Sequence, residues 1–306
     1  MMCPASLRAL LAHSIDYAGL FPPANLALEP ALQNQSQYVR VPESWMLGAF
    51  VLPIAEFDAA ARHLSDFDNK HPLRISALAP RTDNAQAFLK SLSATIDAIA
   101  TFQSRFATAA IEQLEMPLPA EIDAELLKAI RQRLGQSDLK FFWEAKADDA
   151  ERVMELLSEN NGANPGPKLG FKLRTGGVTA EAFPSSMQIA TALMAAGTRG
   201  VPIKFTAGLH HPVRLFHDSV QTTMHGFLNV LGAGVLALEH DWTQNEIIQM
   251  LEDEDAGSFS FTEDFFAWRE RKISTEAIAA RRELVTSFGS CSFDEPREDL
   301  RALKLL

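Results

Sequence analysis

A closed (β/α)8 barrel of the TIM-like type is the fold class that the sequence predicts. Short apolar runs alternate with amphipathic stretches over residues 46–207, a pattern typical of parallel strands joined by right-handed helical crossovers. Each strand–helix unit takes roughly 30 to 35 residues. A length of 306 residues suits eight such units in one barrel. We therefore expect one domain over residues 1–306, irregular in its last two units.

The first six strands are apolar runs bounded by turn residues, and the stretches between them have the spacing of amphipathic helices. The predicted strands span residues 46–53, 73–80, 109–117, 139–147, 169–175 and 202–207. The predicted helices between these strands span residues 55–66, 84–102, 121–134, 148–159 and 185–196. This regular alternation is the main support for a parallel sheet.

The last two units have weaker patterns, and each allows two interpretations. Residues 234–238 form either the seventh strand or the end of a helix over 227–239, because both periodicities fit. Residues 258–262 and 265–268 form either a short hairpin or the eighth strand. An open sheet with helices on both faces is the alternative to a closed barrel.

The two ends of the chain are expected to lie outside the eight repeating units. Residues 1–45 would form an N-terminal cap, in which residues 16–23 are either a lid or a buttress. A helix is predicted over 274–287, with Ser274 as its N-cap. Residues 288–306 would then be a C-terminal tail.

The amino-acid composition indicates which classes of binding partner the protein has. The net charge is −11 and the pI is near 5.2, which argues against nucleic acid as a partner. Two cysteines, Cys3 and Cys291, are too few for a disulfide framework and are typical of a reducing compartment. No apolar run is long enough for a transmembrane helix or a signal peptide. We expect a cytoplasmic protein with a small-molecule substrate, no membrane partner and room for homo-oligomers.

Charged residues stand in phase on four consecutive predicted strands. Side chains alternate across a strand, so Glu115, Glu144, Lys172 and Lys204 all share the face that apolar neighbours leave to the barrel interior. They lie near the carboxyl ends of the strands, where barrel enzymes have their active sites. The alternative interpretation is a set of structural salt bridges in the barrel core.

Two interior lysines on neighbouring strands suggest a specific chemistry. Burial and a second ammonium group both disfavour the charged form, so one lysine pKa is expected to fall. A neutral amine attacks a carbonyl group and forms a Schiff base, for which Glu144 or Glu115 would transfer protons. We assign Lys204 as the nucleophile and Lys172 as its neighbour.

The same two lysines carry a family resemblance. Lys204-Phe205-Thr206-Ala207-Gly208 and Lys172-Leu173-Arg174-Thr175-Gly176-Gly177 resemble the KTSTG-like and KASGG-like strands of class I aldolases of the deoxyribose-phosphate aldolase type. The resemblance is confined to these two segments, which stand in the opposite order in that family. It implies a Schiff-base lyase in which Lys204 forms the imine and Lys172 lowers its pKa.

Polar residues after the fifth and sixth strands are the predicted substrate binders. Arg174 and Thr206 share the interior face with the lysines. Arg174 would bind the substrate anion together with Lys172, and Thr206 is a further candidate for substrate binding. Gly176 and Gly177 would bring backbone N–H groups to a phosphate or carboxylate, although a plain turn explains them equally well. The loop that holds His210 and His211 is expected to form part of the pocket wall.

The histidines offer a competing chemistry. Four of the eight, His210, His211, His217 and His225, lie between residues 204 and 226. His217 and His225 are eight residues apart and would share a helix face, and a divalent metal with interior carboxylates is the alternative cofactor. The chain contains neither HxH nor HExxH, so we predict no metal ligands and no required cofactor.

Cys291 lies in a small-residue segment, Phe288-Gly289-Ser290-Cys291-Ser292-Phe293. A buried structural cysteine is the favoured interpretation, because no histidine lies nearby in sequence to activate the thiol. A nucleophilic role is the alternative.

Three functional hypotheses follow from these patterns. The first is a lysine-assisted lyase, aldolase-like, or isomerase that acts on a small carbonyl or anionic metabolite. The second is a metal-dependent hydrolase or lyase that uses the histidines over 210–225. The third is a barrel that binds a small metabolite without catalysis.

The environment of Lys204 separates these hypotheses. A lysine without a direct carboxylate partner would be primed as a nucleophile, and this arrangement is the one we expect. A salt bridge to Glu144 or Glu115 would instead make Lys204 an anion binder or a structural residue, and would favour the histidines. The largest polar pocket is expected at the carboxyl ends of the strands.

Overall fold

The computed structural model describes residues 3–135, 137–164 and 166–306. The strands in this part of the chain are β1 (Ile15–Tyr17), β2 (Leu47–Pro53), β3 (Leu73–Leu78), β4 (Ala109–Pro117), β5 (Lys140–Ala145), β6 (Leu169–Arg174), β7 (Ile203–Thr206), β8 (Leu215–His217), β9 (Thr222–Met224), β10 (Phe259–Phe261), β11 (Phe265–Trp268), β12 (Arg271–Ser274) and β13 (Val285–Ser290). The helices are α1 (Ala5–Leu11), α2 (Leu28–Tyr38), α3 (Phe57–Ala60), α4 (Ala85–Arg105), α5 (Ala124–Leu134), α6 (Ala150–Ala163), α7 (Ser186–Arg199), α8 (Phe227–His240), α9 (Gln244–Leu251), α10 (Thr275–Arg281) and α11 (Asp294–Ala302).

Eight of these strands close into a parallel barrel in the order β1-β13-β7-β6-β5-β4-β3-β2. β1 is the closing strand: Ile15 pairs with Phe288 of β13 on one side and with Leu47 of β2 on the other. The predicted α/β TIM-like barrel is therefore confirmed, and the open-sheet alternative is wrong. β8 and β9 form a separate hairpin, and β10, β11 and β12 form a small antiparallel sheet.

The six strands predicted from apolar runs, β2 to β7, all form, and their ends lie within two residues of the expected ones. Helices α4 to α7 match four of the predicted helices. The fifth, over 55–66, is one turn of α-helix, α3, between 3-10 segments. Ser274 caps α10 as expected, because its side chain accepts a hydrogen bond from the Ala277 N–H.

The last two predicted units differ from the structure in a consistent way. Residues 234–238 belong to α8, so the helix interpretation is confirmed and the strand interpretation is wrong. Residues 258–268 form a hairpin outside the barrel. The helix predicted over 274–287 ends at Arg281, and the chain then enters barrel strand β13.

Both missing barrel strands lie in or beside the expected terminal segments. β1 falls inside the range assigned to an N-terminal cap, and the second half of β13 falls inside the range assigned to a C-terminal tail. β1 has only three residues, and the inward residues Asp16 and Ser287 are polar. A short strand with polar inward positions lacks the apolar run by which parallel strands are recognised.

The central strands confirm the predicted alternation of side chains. Phe171, Leu173, Ile203 and Phe205 are fully buried in the hydrophobic core. The alternate positions of the same strands point into the barrel, where Lys172 and Lys204 are opposite each other in register. A shift of one residue would have exchanged the two faces, so the phase of the charged residues is correct.

Replacement of Phe288 tests the importance of β13 for the barrel. Its ring is fully buried and stacks on Phe227 with centroids 5.2 Å apart. We expect Phe288→Ala to lower the free energy of unfolding by about 3–5 kcal/mol, because the substitution leaves a cavity. Urea unfolding followed by circular dichroism measures the change. Phe216→Ala is the matched control, since Phe216 is 56% exposed; equal losses in the two variants would contradict the packing role of β13.

Candidate functional site

A pocket of about 460 Å³ opens at the carboxyl ends of the barrel strands. Its polar lining is Arg81, Glu144, Lys172, Arg174, Thr206, His210 and Cys291. Its apolar lining includes Phe21, Pro22, Val51, Leu78 and Val178. The loop of residues 16–23 thus supplies part of the wall. Active sites of barrel enzymes occupy this end of the fold.

Lys172 is the buried cation that lines this pocket. Its Nζ lies 2.7 Å from Glu115 Oε2 and 2.9 Å from Glu144 Oε2, and only 4% of its side chain is exposed. Burial alone would lower the pKa of Lys172, but the charges and hydrogen bonds of Glu115 and Glu144 outweigh burial and raise the pKa. Lys172 is therefore an ammonium group at rest.

Lys204 lies deeper and does not line the pocket. Its Nζ is 2.5 Å from Glu115 Oε1 and 2.6 Å from Asp16 Oδ2. Of the two arrangements considered from sequence, the structure therefore has the salt-bridged one. The expectation that Lys204 lacks a direct carboxylate partner is wrong, because Glu115 lies between the two lysines and contacts both.

Glu115 is the centre of this buried network. Burial raises the pKa of Glu115, but the ammonium groups of Lys172 and Lys204 outweigh burial and hold it well below its ordinary value of 4.5. The Ser76 hydroxyl donates a further hydrogen bond to Glu115 Oε1. The expected decrease in a lysine pKa through mutual repulsion does not occur at Lys172, because a carboxylate separates the two ammonium groups.

Asp16 completes the network and was missed by the sequence analysis. Its Oδ1 accepts the Ala49 N–H at 2.6 Å, and its Oδ2 accepts hydrogen bonds from Lys204, Ser287 and Gln113 at 2.6, 2.7 and 3.2 Å. An aspartate between Ile15 and Tyr17, two residue types that favour strands, was the signal available in the sequence. Three residues were too few to identify a strand.

Two arginines surround the mouth of the pocket. Arg81 Nη2 lies 3.5 Å from Glu144 Oε1, and Arg174 Nη1 lies 4.0 Å from the same oxygen. Their side chains are 70% and 53% exposed, whereas that of Glu144 is 7% exposed. Long contacts from exposed guanidinium groups are weak, so both arginines are available to a ligand. Arg174 was predicted from sequence, and Arg81 was not.

A hydrogen bond and a close backbone contact join the loops after β6 and β7. The Thr175 hydroxyl donates to the Ala207 carbonyl at 2.6 Å. A Cβ on Gly208, where φ is +78°, would lie 2.7 Å from the Cα of Gly176. Ala207 has φ +61°, a conformation that a non-glycine residue seldom adopts. Gly176 therefore serves the close approach of two backbones, whereas Gly177 and Thr206 line the pocket.

His210 is the one pocket-lining residue of the expected histidine loop among the described residues. Its Nδ1 is 3.1 Å from Glu295 Oε2 and 3.8 Å from Cys291 Sγ. Adjacent His211 is instead paired with Asp299 at 2.7 Å. Its predicted substrate contact is therefore not supported by its position.

The other two histidines do not share a helix face. His217 ends β8 and stacks on the His211 ring at 5.3 Å, whereas His225 is buried and contacts the Pro184 carbonyl at 2.8 Å. Burial lowers the pKa of His225. Among residues 3–135, 137–164 and 166–306, no group of three or more His, Cys, Asp or Glu side chains is arranged to hold a metal ion.

A larger cavity, of about 950 Å³, lies at the amino ends of the strands. Its lining includes His13, Asp16, Arg74, Glu112 and Arg282. The expectation that the largest polar pocket lies at the carboxyl ends is therefore wrong. Arg74 and Glu112 pair at 2.6 Å in this cavity, whereas the ammonium group of Lys172 faces the smaller one.

Comparison with known proteins adds no family to this picture. No protein-family model matches the chain, and none of the curated proteins matches it. Within the described residues, no helix is both long and apolar enough to cross a membrane. Functional inference therefore depends on the geometry of the pocket.

Replacement of Glu115 tests the buried network through its pH dependence. The pKa of Glu115 is below its ordinary value of 4.5 in the folded chain. Its contribution to stability is therefore complete above about pH 4.5 and is lost as the pH falls below that value. We expect the free energy of unfolding to fall less steeply in Glu115→Gln than in the wild type between roughly pH 5 and pH 3.

Urea titrations at several pH values measure this slope. Glu155→Gln is the matched control, because Glu155 is exposed on α6, and it should keep the wild-type slope. An unchanged slope in Glu115→Gln would show that Glu115 does not bind protons differently in the folded and unfolded chains.

Proposed function

We propose that this protein is a lysine-assisted lyase or isomerase that acts on a small anionic carbonyl compound, with Lys172 as the reactive amine. The observation that carries the proposal is the position of Lys172 in the pocket wall between Glu115 and Glu144. Lys204, the nucleophile expected from sequence, is fully buried between Asp16 and Glu115. We therefore assign imine formation, which the sequence analysis assigned to Lys204, to Lys172.

The charge of the pocket supports an anionic substrate. Arg81 and Arg174 are exposed at its mouth and make only long contacts with Glu144. Guanidinium groups bind carboxylate and phosphate oxygens in a bidentate manner. A substrate anion at the two arginines would direct its carbonyl group inward toward Lys172. A pocket of about 460 Å³ accommodates a metabolite of a few carbon atoms.

Lys172 must lose a proton before it attacks a carbonyl carbon. Glu144 is the acceptor best placed for this transfer, because it lies 2.9 Å from Nζ and also lines the pocket. A substrate anion bound by Arg81 and Arg174 would replace their long contacts with Glu144 Oε1. Substrate binding would therefore leave this oxygen free to accept the proton.

The covalent step then follows the chemistry of imines. The amine attacks the carbonyl carbon and forms a carbinolamine. Glu144 returns the proton to the carbinolamine hydroxyl group, which leaves as water while the C=N bond of the iminium ion forms, so that Glu144 is a carboxylate again. In a lyase, Glu144 takes the proton of the hydroxyl group on the β carbon. The Cα–Cβ electron pair moves into the iminium group, and an aldehyde leaves. In an isomerase, Glu144 takes the proton at the α carbon instead.

Lys204 and Asp16 act in this scheme as positioning residues. Asp16 holds the ammonium group of Lys204, and this group contacts Glu115 Oε1. Glu115 Oε2 is thereby held against Nζ of Lys172. Interior ion pairs of this kind are costly to desolvate and are common where function requires them. Glu115 thus orients the amine, and Glu144 exchanges protons with it.

Reductive trapping tests the role of Lys172. Borohydride reduction in the presence of pyruvate, glyoxylate or glyceraldehyde 3-phosphate should leave one covalent adduct, which intact mass and peptide mapping place on Lys172. We expect Lys172→Met to abolish the adduct, because no amine remains in the pocket wall. Lys90→Met is the matched control, since Lys90 is an exposed lysine on α4.

Two outcomes would contradict the imine mechanism. An adduct on Lys204 would return the nucleophile to the residue expected from sequence. Binding of the same carbonyl compounds without any adduct would favour the alternative of a metabolite-binding barrel. Near-ultraviolet circular dichroism of Lys172→Met confirms that the variant is folded when it is tested.

Replacement of Arg174 tests the binding of the substrate anion. We expect Arg174→Gln to raise the half-saturating concentration for adduct formation by roughly tenfold, because one charge-assisted hydrogen bond is lost. The maximal yield should stay the same, since Arg174 does not take part in the covalent step. Arg199→Gln, on α7 outside the pocket, is the control. A lower maximal yield with unchanged half-saturation would contradict the binding role.

A further inference from the structure

Cys291 and His210 form a second cluster of reactive groups on the wall of the same pocket, and Glu295 contacts His210. Cys291 follows β13, and His210 lies in the loop after β7. These strands are neighbours in the barrel, with Gly289 opposite Thr206. Glu295 lies in the first turn of α11. The barrel thus joins three residues that are far apart in the chain.

The geometry of the cluster determines where its proton is. Nδ1 of His210 has two neighbours, Glu295 Oε2 at 3.1 Å and Cys291 Sγ at 3.8 Å. An ionised carboxylate only accepts hydrogen bonds, so Nδ1 carries the proton. The sulfur of Cys291 therefore lies beside an N–H donor, as the nucleophilic sulfur of a Cys–His pair does.

The charge state of His210 strengthens this arrangement. Burial by itself lowers the pKa of His210, but its contacts with Cys291 and Glu295 outweigh burial and raise the pKa to about 9. The imidazole is therefore a cation at neutral pH. Lys172, Arg81 and Arg174 add positive charge to the same pocket. Reactive cysteines occur in partly exposed, electropositive surroundings of this kind.

We propose that Cys291, paired with His210, is a nucleophile that reacts as its thiolate with small carboxylate-bearing electrophiles in this pocket. The inference uses the pocket of the proposed function but requires no imine at Lys172. With a carbonyl ligand, the Sγ electron pair forms the S–C bond, and the C=O π pair moves to oxygen. That oxygen takes the proton of the imidazolium, which leaves a neutral thiohemiacetal and a neutral His210.

The cationic groups explain the preference for carboxylates. A carboxylate at Arg81 or Arg174 concentrates the electrophile beside a thiol that lines the same space of about 460 Å³. A neutral electrophile of equal size gains no such attraction. The charge of the reagent therefore distinguishes a site in this pocket from an ordinary exposed thiol.

Alkylation with iodoacetate and iodoacetamide tests both parts of the proposal. The thiolate displaces iodide in each case, and peptide mass spectrometry gives the rate at each cysteine. Cys3, the other cysteine of the chain, is the internal control, because it is also partly exposed and burial raises its pKa. At pH 7 we expect Cys291 to react roughly tenfold faster than Cys3. The iodoacetate-to-iodoacetamide rate ratio should also be higher at Cys291.

Two variants separate the thiolate from the anion-binding groups. His210→Gln should slow the reaction of Cys291 with both reagents by the same factor, because it removes the paired cation. Arg174→Gln should slow the reaction with iodoacetate more than the reaction with iodoacetamide, because it removes a binding group for the carboxylate. His211→Gln is the control for His210→Gln, since His211 is adjacent but contacts Asp299. Glu295→Gln is the second variant if His210→Gln does not fold.

The proposal is overturned if Cys291 reacts no faster than Cys3, or if His210→Gln leaves its rate unchanged. Equal iodoacetate-to-iodoacetamide ratios at the two cysteines overturn it as well, since the pocket then has no preference for carboxylates. These readouts do not depend on trapping at Lys172. A failure of the imine mechanism is therefore distinguishable from a failure of the thiolate.

Discussion

The contact of Glu115 with two lysines is the interaction on which the candidate site depends. It sets Lys172 and Lys204 on opposite sides of one carboxylate, and the chain of charges continues to Glu144 and Asp16. Each cation therefore has two anionic partners. A single uncompensated charge at this depth costs several kcal/mol, so the five groups are stable only as a complete set.

This buried network extends between the cavities at the two ends of the barrel. Asp16 lines the cavity at the amino ends, whereas Lys172 and Glu144 line the pocket at the carboxyl ends. The deeper half of the network, Lys204 and Asp16, does not line the carboxyl-end pocket, whereas the outer half, Lys172 and Glu144, does. Two lysines that look equivalent in sequence thus have different environments, because one lies a layer closer to solvent.

The sequence predicted the central strands and the inward face of Glu115, Glu144, Lys172 and Lys204, because alternation within a long apolar strand determines which side chains share a face. Alternation does not determine which partner a side chain contacts, so the position of Glu115 between the lysines was missed. Cys291 and His210 are 81 residues apart, and only the adjacency of β7 and β13 brings them together.

The three-residue strand β1 makes the buried charge network depend on the order in which the chain is synthesised. Asp16 accepts a hydrogen bond from Ser287, which lies 271 residues later in the chain. The network therefore cannot be complete on the ribosome until the last barrel strand has emerged. Before that moment Asp16 lacks the hydrogen bond from Ser287, and the nascent barrel has an open seam between β1 and β7. Pairings of such long range are the slow steps of folding and leave strand edges exposed to aggregation.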